Sequence, residues 1–214
     1  MSNDKPDLSA AYALQTPEDS KRLYAEWAES YDASFAQAND YRLHWHTAQA
    51  FVQAGGQGPV LDVGAGTGLC GLVLADMGAG PLDATDISAE MLKTAETKDV
   101  YRDLFDADLT DGLPVPSDSY AGIVSSGTFT HGHVGPEVFD ELLRVARPGT
   151  QFALSINAAH FAEQGFAAKF DSLSESRILN LRLPEVRIYG DQASGAHKDD
   201  IALVALFEKS DAPL

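Results

Sequence analysis

The sequence predicts an α/β fold, a mostly parallel sheet with helices on both faces, and three observations predict it. From Pro59 onward, short apolar segments of strand length alternate with segments of helical spacing, the pattern of consecutive β–α units. The first apolar segment, Val60-Leu61-Asp62-Val63, runs straight into glycines at alternate positions, Gly64, Gly66 and Gly68, as a strand does when it turns into a helix beside a ligand. A length of 214 residues suits one such core with a few extra helices.

Taken in order, residues 1–15 read as a loosely docked arm. Thr16-Pro17-Glu18-Asp19 reads as a helix start, with Thr16 as N-cap, Pro17 in the first turn and acids at the positive end of the dipole. The helix that follows carries Tyr24, Trp27 and Tyr31 at i, i+3 and i+7, one aromatic face. A second helix runs from Tyr41 to Ala54 and ends in Gly55-Gly56. The alternation then predicts strand 60–63, helix 67–77, strand 82–86, helix 88–97, strands 101–106 and 120–126, helix 136–146 and strand 150–156. Residues 158–180 read as helical with polar interruptions, and Glu185–Tyr189 and Ile201–Phe207 as two final strands. The expected organisation is a single domain: a helical cap over 1–57, a cofactor-binding core over 58–156, and substrate-side helices and terminal strands over 157–214.

Composition narrows the function classes. Thirty-two acidic against 15 basic residues give a formal charge of −17, and with no Lys/Arg cluster to track a phosphate backbone, nucleic acid is not the expected partner. No apolar stretch is long enough to span a bilayer and no secretory leader is apparent, so the expected location is cytoplasmic, without membrane attachment. The single cysteine, Cys70, reads as a buried apolar filler.

The glycine run reads as a cradle for a nucleoside cofactor, because glycine lets backbone N–H groups approach a ligand without intervening side chains. Asp86 lies 22 positions after Gly64 (86 − 64) at the end of the next strand, where a carboxylate accepts the hydroxyl protons of a ribose. The register of the glycines separates two cofactor classes. Counted from Gly64, a dinucleotide pattern requires glycine at position 69, where Leu69 stands. Counted from Gly66 it fits through Gly68 and Gly71, but Gly64 and Ala65 must then extend the strand, where glycine is disfavoured. The G-x-G-x-G reading ranks first, and an NAD(P)-dependent oxidoreductase is the alternative.

Leu61-Asp62-Val63-Gly64-Ala65-Gly66-Thr67-Gly68, Thr85-Asp86-Ile87-Ser88, Ala107-Asp108-Leu109, Leu113-Pro114-Val115-Pro116 and Leu142–Gly149 occur in the order found in small-molecule class I methyltransferases. Over about residues 20–156 the chain resembles the UbiE-like members of that group. The segment Ser126–Gly135 resembles the Williams–Beuren-region methyltransferase-like proteins. One departure is Ala121, where the strand motif usually carries aspartate. The resemblance implies a Rossmann-like sheet of seven strands whose last strand enters antiparallel, with S-adenosyl-L-methionine as cofactor. It also implies methyl transfer to a small-molecule acceptor by a monomer or homodimer.

It further implies a set of cofactor contacts. Gly64, Gly66 and Gly68, with Ala65, Thr67 and Leu69, would meet the methionine and ribose parts, and Asp62 would hold the α-amino group. Asp86 would bind the ribose hydroxyls, Asp108 would accept from the adenine amino group and Leu109 would offer the ring its backbone N–H, while Ile87, Ser88, Met91, Ala107, Ser125, Ser126 and Gly127 complete the expected cofactor contacts. Tyr24, Trp27 and Tyr31 would close over a sulfonium cation, which π faces attract. Two His-x-His pairs, His44/His46 and His131/His133, raise a metal reading that their spacing disfavours, because i and i+2 on a helix point apart. No metal is therefore expected. His131 and His133 follow the strand whose C-terminal end faces the crevice, and are the candidate general base or acceptor contacts. A further alternative is a non-catalytic cofactor-binding partner of another protein.

Overall fold

Continuous burial along the central strands dictates a sheet covered on both sides. In the computed structural model, which describes residues 30–130 and 134–211 together with 22, 23, 25, 27 and 28, β1 (Val60–Val63) is buried along its whole length. Leu61 and Val63 join Ile123, Phe152 and Leu154 in one apolar cluster, whereas Val60 joins Val124, Ala153 and Val204 in another. Successive side chains of a strand point to opposite faces, so these two clusters are the two sides of one sheet. Helices α1 (Leu43–Gln53) and α2 (Leu69–Asp76) contribute Ala48, Phe51, Cys70 and Leu74 to the second cluster. The first is covered by Phe139, Leu142, Phe166 and Phe170.

The remaining strands are β2 (Leu82–Asp86), β3 (Tyr101–Asp106), β4 (Tyr120–Phe129), β5 (Ala146–Asn157), β6 (Ile178–Arg182), β7 (Glu185–Arg187) and β8 (Ile201–Lys209). The order is β3-β2-β1-β4-β5-β8-β6, with β7 also paired to β8. The first five run parallel, in registers such as Asp62↔Ala84 and Asp62↔Val124. β8 is antiparallel to β5, with Leu154↔Ala205, and antiparallel to β6 and β7. This is a Rossmann-like, mostly parallel sheet with C-terminal antiparallel strands. The remaining helices are α3 (Ala89–Glu96), α4 (Phe139–Val145), α5 (Ala158–Glu163) and α6 (Phe166–Ser174).

Several expectations need correction. The sheet has eight strands rather than seven, because the partner of β8 is split: Pro184 has no N–H to give and its carbonyl accepts from Val204 instead. Residues 158–180 are not one helical stretch. They form α5, a left-handed Gly165 at φ 77° that starts α6, and then β6. Strand β6 escaped detection because Leu179, Asn180 and Arg182 are exposed on it and Asn180 takes a positive φ of 59°. β5 begins at Ala146, immediately after α4, rather than at 150. Pro136–Val138 forms a 3-10 turn ahead of α4, and Tyr31–Gln37 a π-helical segment rather than a continuation of α-helix.

Candidate functional site

The site lies at the C-terminal ends of β1, β2 and β4, the position an open parallel sheet reserves for ligands. β1 ends at Val63, and Gly64, Gly66 and Gly68 then adopt φ of 65°, 55° and 86°, a left-handed run that glycine alone enters freely. Gly64 is therefore turn, not strand, which removes the condition the dinucleotide register needs. The N–H groups of Gly64 and Ala65 donate to Thr85 O at 2.8 and 3.0 Å, tying the turn to β2. A β-carbon at Gly64 would lie 2.0 Å from Thr128 Oγ1. This close approach lets Thr128 and Ser125 hydroxyls donate to Val63 O at 3.1 and 2.7 Å.

Three carboxylates face this turn in different ways. Asp86 is held by the N–H groups of Gly66 (2.8 Å to Oδ2) and Ser88 (2.9 Å to Oδ1). Burial nevertheless raises its pKa above the usual carboxylate range, against the pull of those donors. Asp62, behind the turn, is buried and pushed up to about 7, first by desolvation, with the nearby Asp86 charge adding to it. The Tyr101 hydroxyl donates to Asp62 Oδ2 at 2.7 Å. Gly71 makes that reach possible: a β-carbon there would lie 2.1 Å from the Tyr101 oxygen. Asp108 accepts from Thr110 N–H and O–H, both on Oδ1, at 2.8 and 2.7 Å.

A cap closes the opposite side. Asp32, in the π-helical segment, accepts from the Thr67 hydroxyl at 2.5 Å and pairs with Lys98 at 2.7 Å. Thr94 Oγ1 donates to Ala28 O at 3.2 Å. Tyr31 stacks on Phe35 with ring centroids 4.9 Å apart, and Trp27 on Phe35 at 6.1 Å.

Between cap and sheet lies a cleft of about 1080 Å³, its open mouth included. Of the residues expected from sequence, Tyr31, Asp62, Gly64, Ala65, Gly66, Thr67, Leu69, Asp86 and Ile87 line it, with Met91, Ala107, Asp108, Leu109, Ser126 and Gly127 completing the wall. Four do not reach it. Trp27 is buried behind Phe35; Gly68 faces Ala95 and Tyr101; Ser88 caps α3 through Met91 N–H; Ser125 is spent on Val63 O. Tyr24, His131 and His133 lie outside the described residues.

The cleft also takes in Tyr41, His44, Cys70, Thr85, Thr128 and Val134, which the sequence reading did not assign to it. Tyr41 sits in a bridge to Tyr189 just ahead of α1 and His44 in the first turn of that helix, so their pairing had no helical spacing to announce it. Their rings stack with centroids 5.5 Å apart. His44 and His46 diverge: His44 lines the cleft, and His46 an outer groove with Arg42 and Arg187. Burial and the neighbouring Arg42 hold His44 down at about 4. Among the described residues His44 Nδ1, Thr85 Oγ1 and Ser126 Oγ are buried without a hydrogen-bond partner, and all three residues line this one cleft.

A family profile described as a methyltransferase domain matches residues 60–149. A sterol methyltransferase-like protein of Botryococcus braunii is 33% identical over 131 residues, covering 57% of this chain and 32% of that protein. The chain thus spans about a third of the length of the curated relative it matches. A SAM-dependent methyltransferase from Aquifex aeolicus superposes with a TM-score of 0.59 at 17% identity, over 85% of this chain and 97% of that one. The cyclase SpnF superposes with a TM-score of 0.68 at 15% identity, over 93% and 98%.

Proposed function

We propose that this chain is a class I S-adenosyl-L-methionine-dependent methyltransferase that acts on a small-molecule acceptor. The carrying observation is Asp86. Its carboxylate is oriented by the backbone N–H groups of Gly66 on Oδ2 and Ser88 on Oδ1, with Ile87 beside them, next to a left-handed glycine turn, and its remaining lone pairs suit the hydroxyls of a ribose. The rest of the cleft fits the same group. Asp62, whose charge is costly where it stands, is relieved by a cationic α-amino group. Thr85 Oγ1, buried and unpaired beside Asp86 in sequence, offers a further polar partner. Asp108 Oδ2, with no donor among the described residues, suits the adenine amino group, and the Tyr31 ring suits the sulfonium.

When bound, the cofactor supplies an electrophilic methyl group, so the chain has to place two reactants together and exclude water. The cap that Asp32 ties to Thr67 and Lys98 serves that exclusion. In this reading residues 1–57 are the cap, 58–156 hold the cofactor and 157–214 face the acceptor, with His131 and His133 at the acceptor end. The finer grouping proposed is with the Williams–Beuren-region methyltransferase-like proteins. A monomer or homodimer in the cytoplasm belongs to the same proposal, supported by a lone buried cysteine. Formal charge of −17 disfavours a nucleic-acid acceptor, and no helix among the described residues is long and apolar enough to cross a membrane.

Titration calorimetry tests the reading. Saturable binding of S-adenosylmethionine and its demethylated product, with no heat from NAD, is expected; the reverse pattern overturns it. The alternative carried from the sequence is a non-catalytic cofactor-binding partner of another protein, with the same cradle. Product formation across an acceptor panel separates the two.

A further inference from the structure

Past the carboxylates, the cleft changes character. Tyr41 stacks on His44 and its hydroxyl lies over Gly127, next to Ser126 in sequence, and to this part of the cleft the described residues bring no unpaired charge. Asp32 is spent on Lys98 and Thr67, and Arg42 pairs with Asp40. Among the described residues an ammonium group there finds no unpaired carboxylate, and a carboxylate or phosphate no unpaired cation, so a charged acceptor would be desolvated without compensation from them.

What this part of the cleft does hold is two buried polar atoms without partners, His44 Nδ1 and Ser126 Oγ, each left desolvated while unpaired. The Tyr41 ring stacks on His44 at 5.5 Å, and its hydroxyl lies over Gly127, 2.8 Å from where a β-carbon would stand. Tyr41 thereby links His44, on which it stacks, to Gly127, the residue that follows Ser126 in β4. The groups that set the charge of His44 are Arg42, which with burial lowers its pKa, Asp32, which raises it, and His46, which lowers it. The sum leaves a neutral imidazole at pH 7.

We propose that His44 is the specificity-determining contact for the acceptor, and that the acceptor is an uncharged, largely apolar molecule held there through a hydroxyl group. A hydroxyl both donates and accepts, so it satisfies His44 Nδ1 in either tautomer, and Ser126 Oγ offers the same cleft a second hydroxyl-compatible group. The Tyr31, Tyr41 and Val134 surfaces then cover its apolar body. This rests on the methyltransferase reading above, and its test is built so that the two fail separately.

The probes are benzyl alcohol, benzylamine and toluene, titrated by ligand-observed NMR into the full-length protein saturated with S-adenosylhomocysteine. Benzyl alcohol should bind at least threefold more tightly than either of the others. His44→Leu should abolish its advantage over toluene while leaving S-adenosylhomocysteine affinity unchanged. His44→Gln, which keeps a polar atom, should retain part of the advantage. In the wild type, benzyl alcohol alone of the three should move the His44 imidazole ¹⁵N resonances, a readout that needs no variant to fold. Equal binding of the three probes, tightest binding of benzylamine, absence of binding by all three, or an advantage that survives His44→Leu overturns the proposal. Failure of the wild type to bind S-adenosylhomocysteine overturns the underlying methyltransferase reading instead.

Discussion

Asp62 makes the chain pay for its ligand site in a way that pH exposes. Its carboxyl moves from an ordinary 3.8 to about 7 in the folded protein. Between those values the folded state binds a proton that the unfolded chain does not. Stability therefore falls as pH rises through that window, and the penalty is complete above about pH 7. A shift of that size corresponds to about 4 kcal/mol, of which on the order of 2.5 kcal/mol develops between pH 5 and pH 8. Asp62→Asn abolishes the titration. Its amide also faces the Tyr101 and Gly71 donors that the carboxylate accepted, but that cost does not vary with pH and cancels in a comparison across pH. Urea unfolding of wild type and variant at several pH values is the assay. The variant should gain on the wild type by roughly 2–3 kcal/mol from pH 5 to pH 8, while binding the cofactor more weakly. A difference in stability that stays flat over this range would refute the reasoning.

Asp86→Ala should weaken S-adenosylmethionine binding by roughly 1–3 kcal/mol, read by calorimetry, because it removes a charged acceptor from buried hydroxyl donors; an unchanged affinity in a folded variant would mean that Asp86 only shapes the turn. Gly64→Ala, at φ 65° and facing Thr128, should cost about 2–3 kcal/mol, a fall in Tm of roughly 5–10 °C. Adding Thr128→Ala should recover part of that loss, and strict additivity would show that the close approach carries none of it. Asp32→Ala, by releasing Thr67 and Lys98, should speed amide hydrogen exchange across residues 31–37 about fivefold, as expected for a loss near 1 kcal/mol; unaltered exchange would show that aromatic stacking alone seats the cap.

The parts of the fold visible in sequence are those where one residue type answers one physical demand. Glycines at 64, 66 and 68 were readable because their left-handed φ leaves little choice, and Asp86 because a carboxylate ending β2 serves both turn and ligand. The strand β6 was not, since its outer positions Leu179, Asn180 and Arg182 face solvent and erase the alternation that would mark it. Tyr101 escaped for another reason. Its partner Asp62 is 39 residues away, and only the missing β-carbon of Gly71 opens the path between them. His44 was in view as half of a His-x-His pair, but its face became meaningful only once Tyr41 was seen stacked beside it.

The position of β8 also bears on how the sheet is made. Residues 201–209 do not add to a finished edge; they enter between β5 and the pair β6 and β7. Until they arrive, β5 presents an open ladder of backbone donors and acceptors, and Phe152 lacks Phe207, on which it stacks at 4.5 Å. A chain that has left the ribosome only as far as β7 therefore carries an adhesive, half-built sheet until residues 201–209 follow. That interval is when pairing with another nascent chain competes with closure.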